Sequence, residues 1–333
     1  MKVIFGICLS LSVWLWSTFV GPGLTCSYIG CKVDYTENKF STAGIKNFLF
    51  LALGLELFGE KSFAVDGRFY QHSAINKFDL YEPINQAKLD QINEDFLALL
   101  NIIGDRSFTV IVVPDKYLFR CGGETSYIGP ICDVLLQNLT AIYELIDSFS
   151  LENDSLEVVD PFGLLLSQKG LDQIYWIGDS HWNSLGAHQF LSQSRFLKST
   201  NLSPLEYKNL DQKNDLARQF DITRNQLNVI YGKARGIQAL NMEIIDQKRS
   251  SSGLLVYRRF VVANDLGVTC AIASDSFIFD ALPSLSLLCS EIIWSRVNSF
   301  KEAGEFFQDT SNVDNYIFIR AQKGFNFYRV QEK

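Results

Sequence analysis

Only three histidines, His72, His181 and His188, occur in the 333 residues, and histidine is the side chain best suited to exchange a proton near neutral pH. His181 stands in the segment Ile177-Gly178-Asp179-Ser180-His181-Trp182-Asn183. In an extended segment Asp179 and His181 point the same way. The carboxylate can then hold the imidazole Nδ1–H and leave Nε2 free as a base. A nucleophile for that base is offered by Ala273-Ser274-Asp275-Ser276-Phe277, directly after an apolar run. Strand, tight polar turn and helix is how a nucleophilic serine is presented in several hydrolase folds. The Ser276 amide, at the start of the following helix, would face a developing oxyanion. Ser274 is the rival nucleophile, but Ser276 lies nearer the helix start. Asp179, His181 and Ser276 are thus the candidate catalytic residues, an acid, a base and a nucleophile in that chain order.

Each segment alone also reads as a helix cap, with Ser180 or Asn183 in the first and Ser-Asp-Ser in the second. Asp179, His181 and His188 offer metal-ligand types, but the histidine spacing suits no familiar zinc pattern, so no metal is expected. No Gly-x-Gly-x-x-Gly follows a strand, which argues against a dinucleotide, and no cofactor is expected. Lys and Arg total 30 against 37 for Asp and Glu, a net charge of -7, and no basic run offsets it. Nucleic-acid binding therefore lacks its main electrostatic support, and a neutral or weakly charged substrate fits that balance better.

The elements around these segments alternate. Residues 84–103 space their apolar positions as an amphipathic helix does. Ser107 to Val113 is a β-branched apolar run ending at Pro114, the pattern of a strand covered on both faces. Ile131 to Phe149 reads as a helix, Leu156 to Val159 as a strand and Leu164 to Gln168 as a helix. Ile174 to Ile177 is strand-like and Asn183 to Leu197 helical. Ile237 to Ile245, Leu254 to Val262 and Val268 to Ala273 are strand candidates. Phe277 to Leu288 reads as a helix, and Ile292 to Val297 and Tyr316 to Arg320 as strands. This alternation predicts an α/β fold, a mostly parallel sheet with helices on both faces. Functional groups then collect at the carboxyl ends of strands, where both candidate segments fall.

At the N-terminus, Met1-Lys2 leads into the apolar stretch Val3 to Val20, broken by Gly21-Pro22-Gly23. Residues 1–25 read as a signal peptide or signal anchor, followed by a lead-in over 26–59 and one domain over 60–333. Cys121 and Cys132 bracket a Gly-rich segment that a disulfide could close in an oxidising compartment, and Cys26 with Cys31 is a second candidate pair. Cys270, inside VTCAIA, reads as a small buried hydrophobe. Asn138-Leu139-Thr140 and Asn153-Asp154-Ser155 fit the glycosylation pattern.

The segment Asp179 to Phe190 resembles the Asp-x-His-Trp signature of SGNH hydrolase-like acetyltransferases of the alginate O-acetyltransferase (AlgX/AlgJ) type. Three further blocks agree: Val65 to Tyr70, Val110 to Lys116 with its Pro-Asp-Lys ending, and Ala273 to Phe277. Here Ser274 stands where that family usually has Gly. The resemblance spans roughly residues 60 to 320 and implies a three-layer α/β/α flavodoxin-like (SGNH hydrolase-like) fold. It implies Asp179 as orienter, His181 as base and Ser276 as acyl carrier. Acetyl would move onto hydroxyls of an exported or cell-surface polysaccharide, supplied by a membrane-bound O-acyltransferase (MBOAT type). The location implied is the periplasm, free or membrane-anchored. Arg68 and Lys116 sit in recurring blocks as candidate substrate cations, or as a turn anchor and a solvated lysine. Trp182 is either a wall of a sugar site or a packing residue. A carbohydrate acetylesterase with the same triad, and a non-catalytic polysaccharide-binding or assembly component, are the alternatives.

Overall fold

The computed structural model describes residues 24–27, 30–33, 47, 50–52, 57–58, 62–65, 68–71, 82–121, 129–166, 174–195, 207–310 and 312–326. They fall into two compact units. One takes in the described residues up to Gln71, together with Ile177–Asp179 and Gln212–Gly232. The other takes in the remainder. The apolar stretch Val3 to Val20 lies outside the described residues. Among those described, no helix is long and apolar enough to cross a membrane.

The smaller unit holds strands β1 (Leu24–Ser27), β2 (Gly30–Val33), β3 (Leu57–Phe58), β4 (Ser62–Val65) and β5 (Arg68–Gln71), hydrogen-bonded in that order. Cys26 and Cys31 lie opposite each other on β1 and β2. The backbone of Arg68 opens β5, and its side chain is outside what is described. A separate cluster joins Phe50, Leu51, Leu216, Ala217, Phe220, Ile222 and Leu227. Gly178 belongs here: its carbonyl accepts the amides of Leu216 and Ala217, and a Cβ would strike Lys213 and Leu227.

The larger unit carries the α/β architecture. Its elements begin with α1 (Gln86–Ile103), β6 (Ser107–Val113), α2 (Gly129–Asp147), β7 (Leu156–Val158), α3 (Pro161–Leu166) and α4 (Ser184–Leu191). A two-stranded ribbon, β8 (Tyr207–Leu210) with β9 (Ala234–Ile237), precedes β10 (Met242–Arg249) and β11 (Leu255–Val262). The smaller unit's α5 (Arg224–Tyr231) is threaded between β8 and β9 in sequence. Then come β12 (Thr269–Ser274), α6 (Ile278–Leu285), β13 (Glu291–Arg296), α7 (Phe300–Gln308), β14 (Asn315–Ala321) and α8 (Gln322–Asn326).

Seven strands form one mixed sheet in the order β10-β11-β13-β12-β14-β6-β7. The five from β13 to β7 are parallel, and β10 and β11 extend one edge antiparallel. One sheet face, with Ile111, Cys270, Ile272, Trp294 and Ile317, packs on residues of α4 and α6. The other meets α1 and α7, where Phe96, Phe108, Phe300 and Phe318 stack on one another. The mostly parallel sheet with helices on both faces is as the alternation predicts. At β12 the order reverses: α6 leads to β13 on one side, and α7 returns past it to β14 on the other. A crevice opens at such a switch point, at the carboxyl end of the strand.

Two sequence expectations fail for local reasons. Ile174–Ile177 is no sheet strand. Tyr175 makes one antiparallel bridge to Trp182, so the chain pairs with itself. The run Ile237–Ile245 is two strands, because hydroxyls capture the amides between them. Ile237 N–H donates to Ser184 Oγ at 3.0 Å and Leu240 N–H to Ser286 Oγ at 3.0 Å. Cys270 is fully buried but bonded to Cys289, because the start of β12 lies beside the start of β13. Asn138 is buried in α2, bonded through its amide to Glu82 and Ile84, so it offers no glycosylation site on this fold.

Candidate active site

The segment of the candidate nucleophile follows β12. Ile272, Ala273 and Ser274 are fully buried strand residues, and the chain then turns sharply at Asp275. The Asp275 carboxylate holds the turn by accepting from the Phe277 amide at 3.0 Å and from the Ala321 amide, at the end of β14, at 3.0 Å. Sequence reasoning missed that role. An aspartate accepting from the amide two residues on is a known turn former, so the signal was in Asp275-Ser276-Phe277. The turn leaves Ser276 partly exposed at the entrance of α6. Among the described residues its amide makes no hydrogen bond. Ser274, the rival, is buried, accepts from Trp294 Nε1 at 2.8 Å and donates to the Asp275 carbonyl. It is a structural hydroxyl that roots the turn to β13.

The histidine arrives on the loop between Ile174 and Asn183. Trp176 N–H donates to the His181 carbonyl at 3.2 Å and Asn183 N–H to the Ile174 carbonyl at 2.7 Å. Asn183 also caps α4, its side chain accepting from Gly186 N–H at 2.9 Å. Gly186 has to be glycine, since a Cβ there would collide with the Ile174 carbonyl. Asp179 and His181 thus lie on a bend rather than in an extended strand. Asp179 is 1% exposed.

The end of β6 fastens this loop. Tyr175 donates its hydroxyl to the Pro114 carbonyl at 2.5 Å, and burial pushes that phenol well above its usual range. Lys116 is only 4% exposed and donates to the Trp176 carbonyl at 2.6 Å. It is neither a solvated lysine nor an open substrate cation, because its ammonium is spent inside the protein. Trp182 is fully buried, donates to the Phe277 carbonyl at 2.8 Å and packs on Phe190 and Phe277. It presents no face to a sugar; it ties the histidine loop to the serine turn.

These ties converge on one contact. His181 Nε2 and Ser276 Oγ are hydrogen-bonded at 2.7 Å across 95 residues of chain, and the His181 ring leans on Phe277 with centroids 4.6 Å apart. An imidazole nitrogen at hydrogen-bond distance from a partly exposed serine hydroxyl is the geometry of base and nucleophile.

Elsewhere in the larger unit, Cys121 and Cys132 form a disulfide with Cα atoms 5.6 Å apart, closing the segment after β6 onto α2.

No protein-family model and no curated protein sequence matches the chain. Solved structures do. A DHHW family protein from Eubacterium siraeum is similar at TM-score 0.56 and 12% identity, covering 83% of this chain and 95% of its own. Bacillus cereus PatB1 with a sulfonyl adduct is similar at TM-score 0.54 and 12% identity, covering 82% and 97%. Pseudomonas aeruginosa AlgX also matches, at TM-score 0.47 and 14% identity, over 89% of this chain and 68% of its own. With the first two and with the mostly parallel sheet flanked by helices, the fold is the SGNH hydrolase-like α/β/α fold that the motifs implied.

Proposed function

We propose that the protein is an exported serine O-acyltransferase that moves acetyl groups onto hydroxyls of a polysaccharide. The observation that carries this reading is the 2.7 Å hydrogen bond between His181 Nε2 and Ser276 Oγ. With the proton of neutral His181 on Nδ1, Ser276 donates to Nε2 and is ready to attack. Its Oγ bonds to the acetyl carbonyl carbon while Nε2 takes the hydroxyl proton. The tetrahedral oxyanion is stabilised by the Ser276 amide at the entrance of α6. The leaving group then departs with the proton from His181, and the acetyl rests on Ser276. A sugar hydroxyl, deprotonated by the same nitrogen, attacks that ester and regenerates the serine. Asp179, buried and two residues before the histidine, is assigned the orienting role of the triad's acid.

The similar structures support the reading without identifying the acceptor. PatB1, on the same fold, carries a sulfonyl adduct. Read letter by letter, DHHW is the motif Asp179 to Trp182 with His in place of Ser180. The apolar stretch Val3 to Val20 and the two disulfides Cys121–Cys132 and Cys270–Cys289 suit an oxidising compartment outside the cytoplasm. There, acetyl reaching Ser276 would come from a membrane-bound O-acyltransferase.

The test is product analysis with an activated acetyl ester and an oligosaccharide mixture. Acetylated oligosaccharide that is absent with Ser276→Ala supports transfer. Free acetate alone, at a rate that oligosaccharide leaves unchanged, would make the protein an esterase instead.

A further inference from the structure

Beside the serine turn, on the face of the sheet that carries α6, lie two arginines whose buried Nε atoms have no partner among the described residues. Arg258 on β11 lies directly opposite Trp294 on β13. Arg296, two residues farther along β13, shares that face and is in register with Ser274 of β12. Trp294 joins them to the turn, donating to Ser274 Oγ at 2.8 Å and packing edge-on against Phe279 with centroids 5.3 Å apart. Phe279 is 37% exposed and lies on the first turn of α6, three residues after Ser276.

Arg258 and Arg296 are half-buried, and the Nε atom of each is itself buried with no hydrogen-bond partner among the described residues. Other arginines differ. Arg259, facing the opposite side of β11, pairs with Glu291, and Arg195, at the far edge of the sheet, donates to the carbonyls of Asp154 and Leu156. A buried N–H left unpaired is costly, and two such donors on neighbouring strands, each on a half-buried arginine, call for a group that supplies acceptor oxygens. Strands about 4.8 Å apart place the two side chains, diagonal to each other, within reach of one oxyanion. The planar guanidinium fork matches a carboxylate or sulfate.

We infer that Arg258, Arg296 and Phe279 form an acceptor subsite for a glycan bearing an oxyanion, carboxylate or sulfate, on or beside the sugar that receives the acyl group. The inference rests on the reading of Ser276 as acyl carrier, and it sets aside the neutral substrate that net charge alone suggests. The guanidinium pair takes the oxyanion, and the exposed ring of Phe279 takes the apolar face of the sugar. At a net charge of -7 non-specific attraction of polyanions is weak, which makes this local pair the selective element.

The experiment is calorimetric binding of the full chain to trigalacturonate, its neutral methyl ester, and sulfated maltotriose against maltotriose. Acyl-serine formation on the wild type is measured separately. An anionic glycan is expected to bind at least about 10-fold more tightly than its neutral counterpart. Arg258→Met and Arg296→Met should each remove most of that margin, and Arg296→Lys should restore part of it, since charge returns without the fork. The better of the two anions identifies which oxyanion the subsite takes. Equal binding of charged and neutral glycans, no binding of either anion, or unchanged selectivity in both methionine variants overturns the proposal. Anion selectivity without an acyl-serine would sink the catalytic reading and leave the subsite standing. An acyl-serine without anion selectivity would do the reverse.

Discussion

Lys116 donates its ammonium to the carbonyl of Trp176, and the amide of Trp176 donates in turn to the carbonyl of His181. A buried lysine just past β6 thus sets the backbone of the loop that carries His181. Lys116→Met removes the donor and keeps the bulk. The expected result is a fall in kcat of about 10²-fold with little change in KM, since small displacements of a catalytic group have that effect. A fall in KM-dependent binding alone, with kcat intact, would mean that Lys116 touches substrate instead.

Ser274 and Ser276 separate cleanly. Ser274→Ala leaves Trp294 Nε1 without its acceptor inside the core, which costs about 1–3 kcal/mol of stability. Acylation should persist. Urea unfolding and adduct formation on the two alanine variants check this, and loss of the adduct from Ser274→Ala alone would exchange their roles.

The disulfide Cys270–Cys289 spans the whole serine turn and α6, with a sequence separation of 19. In the chain-entropy model a loop of that size is worth about 3 kcal/mol. The double variant Cys270→Ala, Cys289→Ala should lose about that much in urea unfolding. A loss well below 1 kcal/mol would show that strand pairing alone holds the turn.

Half-buried His188 on α4 gives the fold a pH dependence. Burial pulls its imidazole below the usual value of 6.5, so the unfolded chain binds that proton more readily than the folded one. Stability therefore falls as pH drops through 6.5 towards the folded value, and the contribution is fully present above it. His188→Gln should flatten this acid limb in denaturation midpoints measured at pH 7.5 and pH 5. Identical limbs in both proteins would assign the effect to other groups.

The parallel core of the sheet was legible because strands such as β6 and β12 are continuous apolar runs. Ser107–Val113 and Val268–Ala273 match β6 and β12 to within a residue at each end. That His181 and Ser276 would meet was legible because so few residue types can serve as base and nucleophile. The loop at 174–183 was not, because Ile174–Ile177 carries a strand's composition and its pairing partner is only seven residues away. Periodicity cannot show a chain folding back on itself. Nor could the sequence show that Lys116 and Trp182 point inward, since that depends on which carbonyls the fold delivers to them. Asp275 was hidden by its neighbours, two serines with more obvious chemistry.

The central claim is that Ser276 carries an acyl group placed there with His181 as base. It is tested most directly by the intact mass of the protein after incubation with an activated acetyl ester, beside Ser276→Ala and His181→Ala. One acetyl adduct on the wild type, mapped to the peptide containing Ser276 and absent from both variants, is the predicted result. An adduct that survives in Ser276→Ala, or a wild type that takes none while remaining folded, would contradict it.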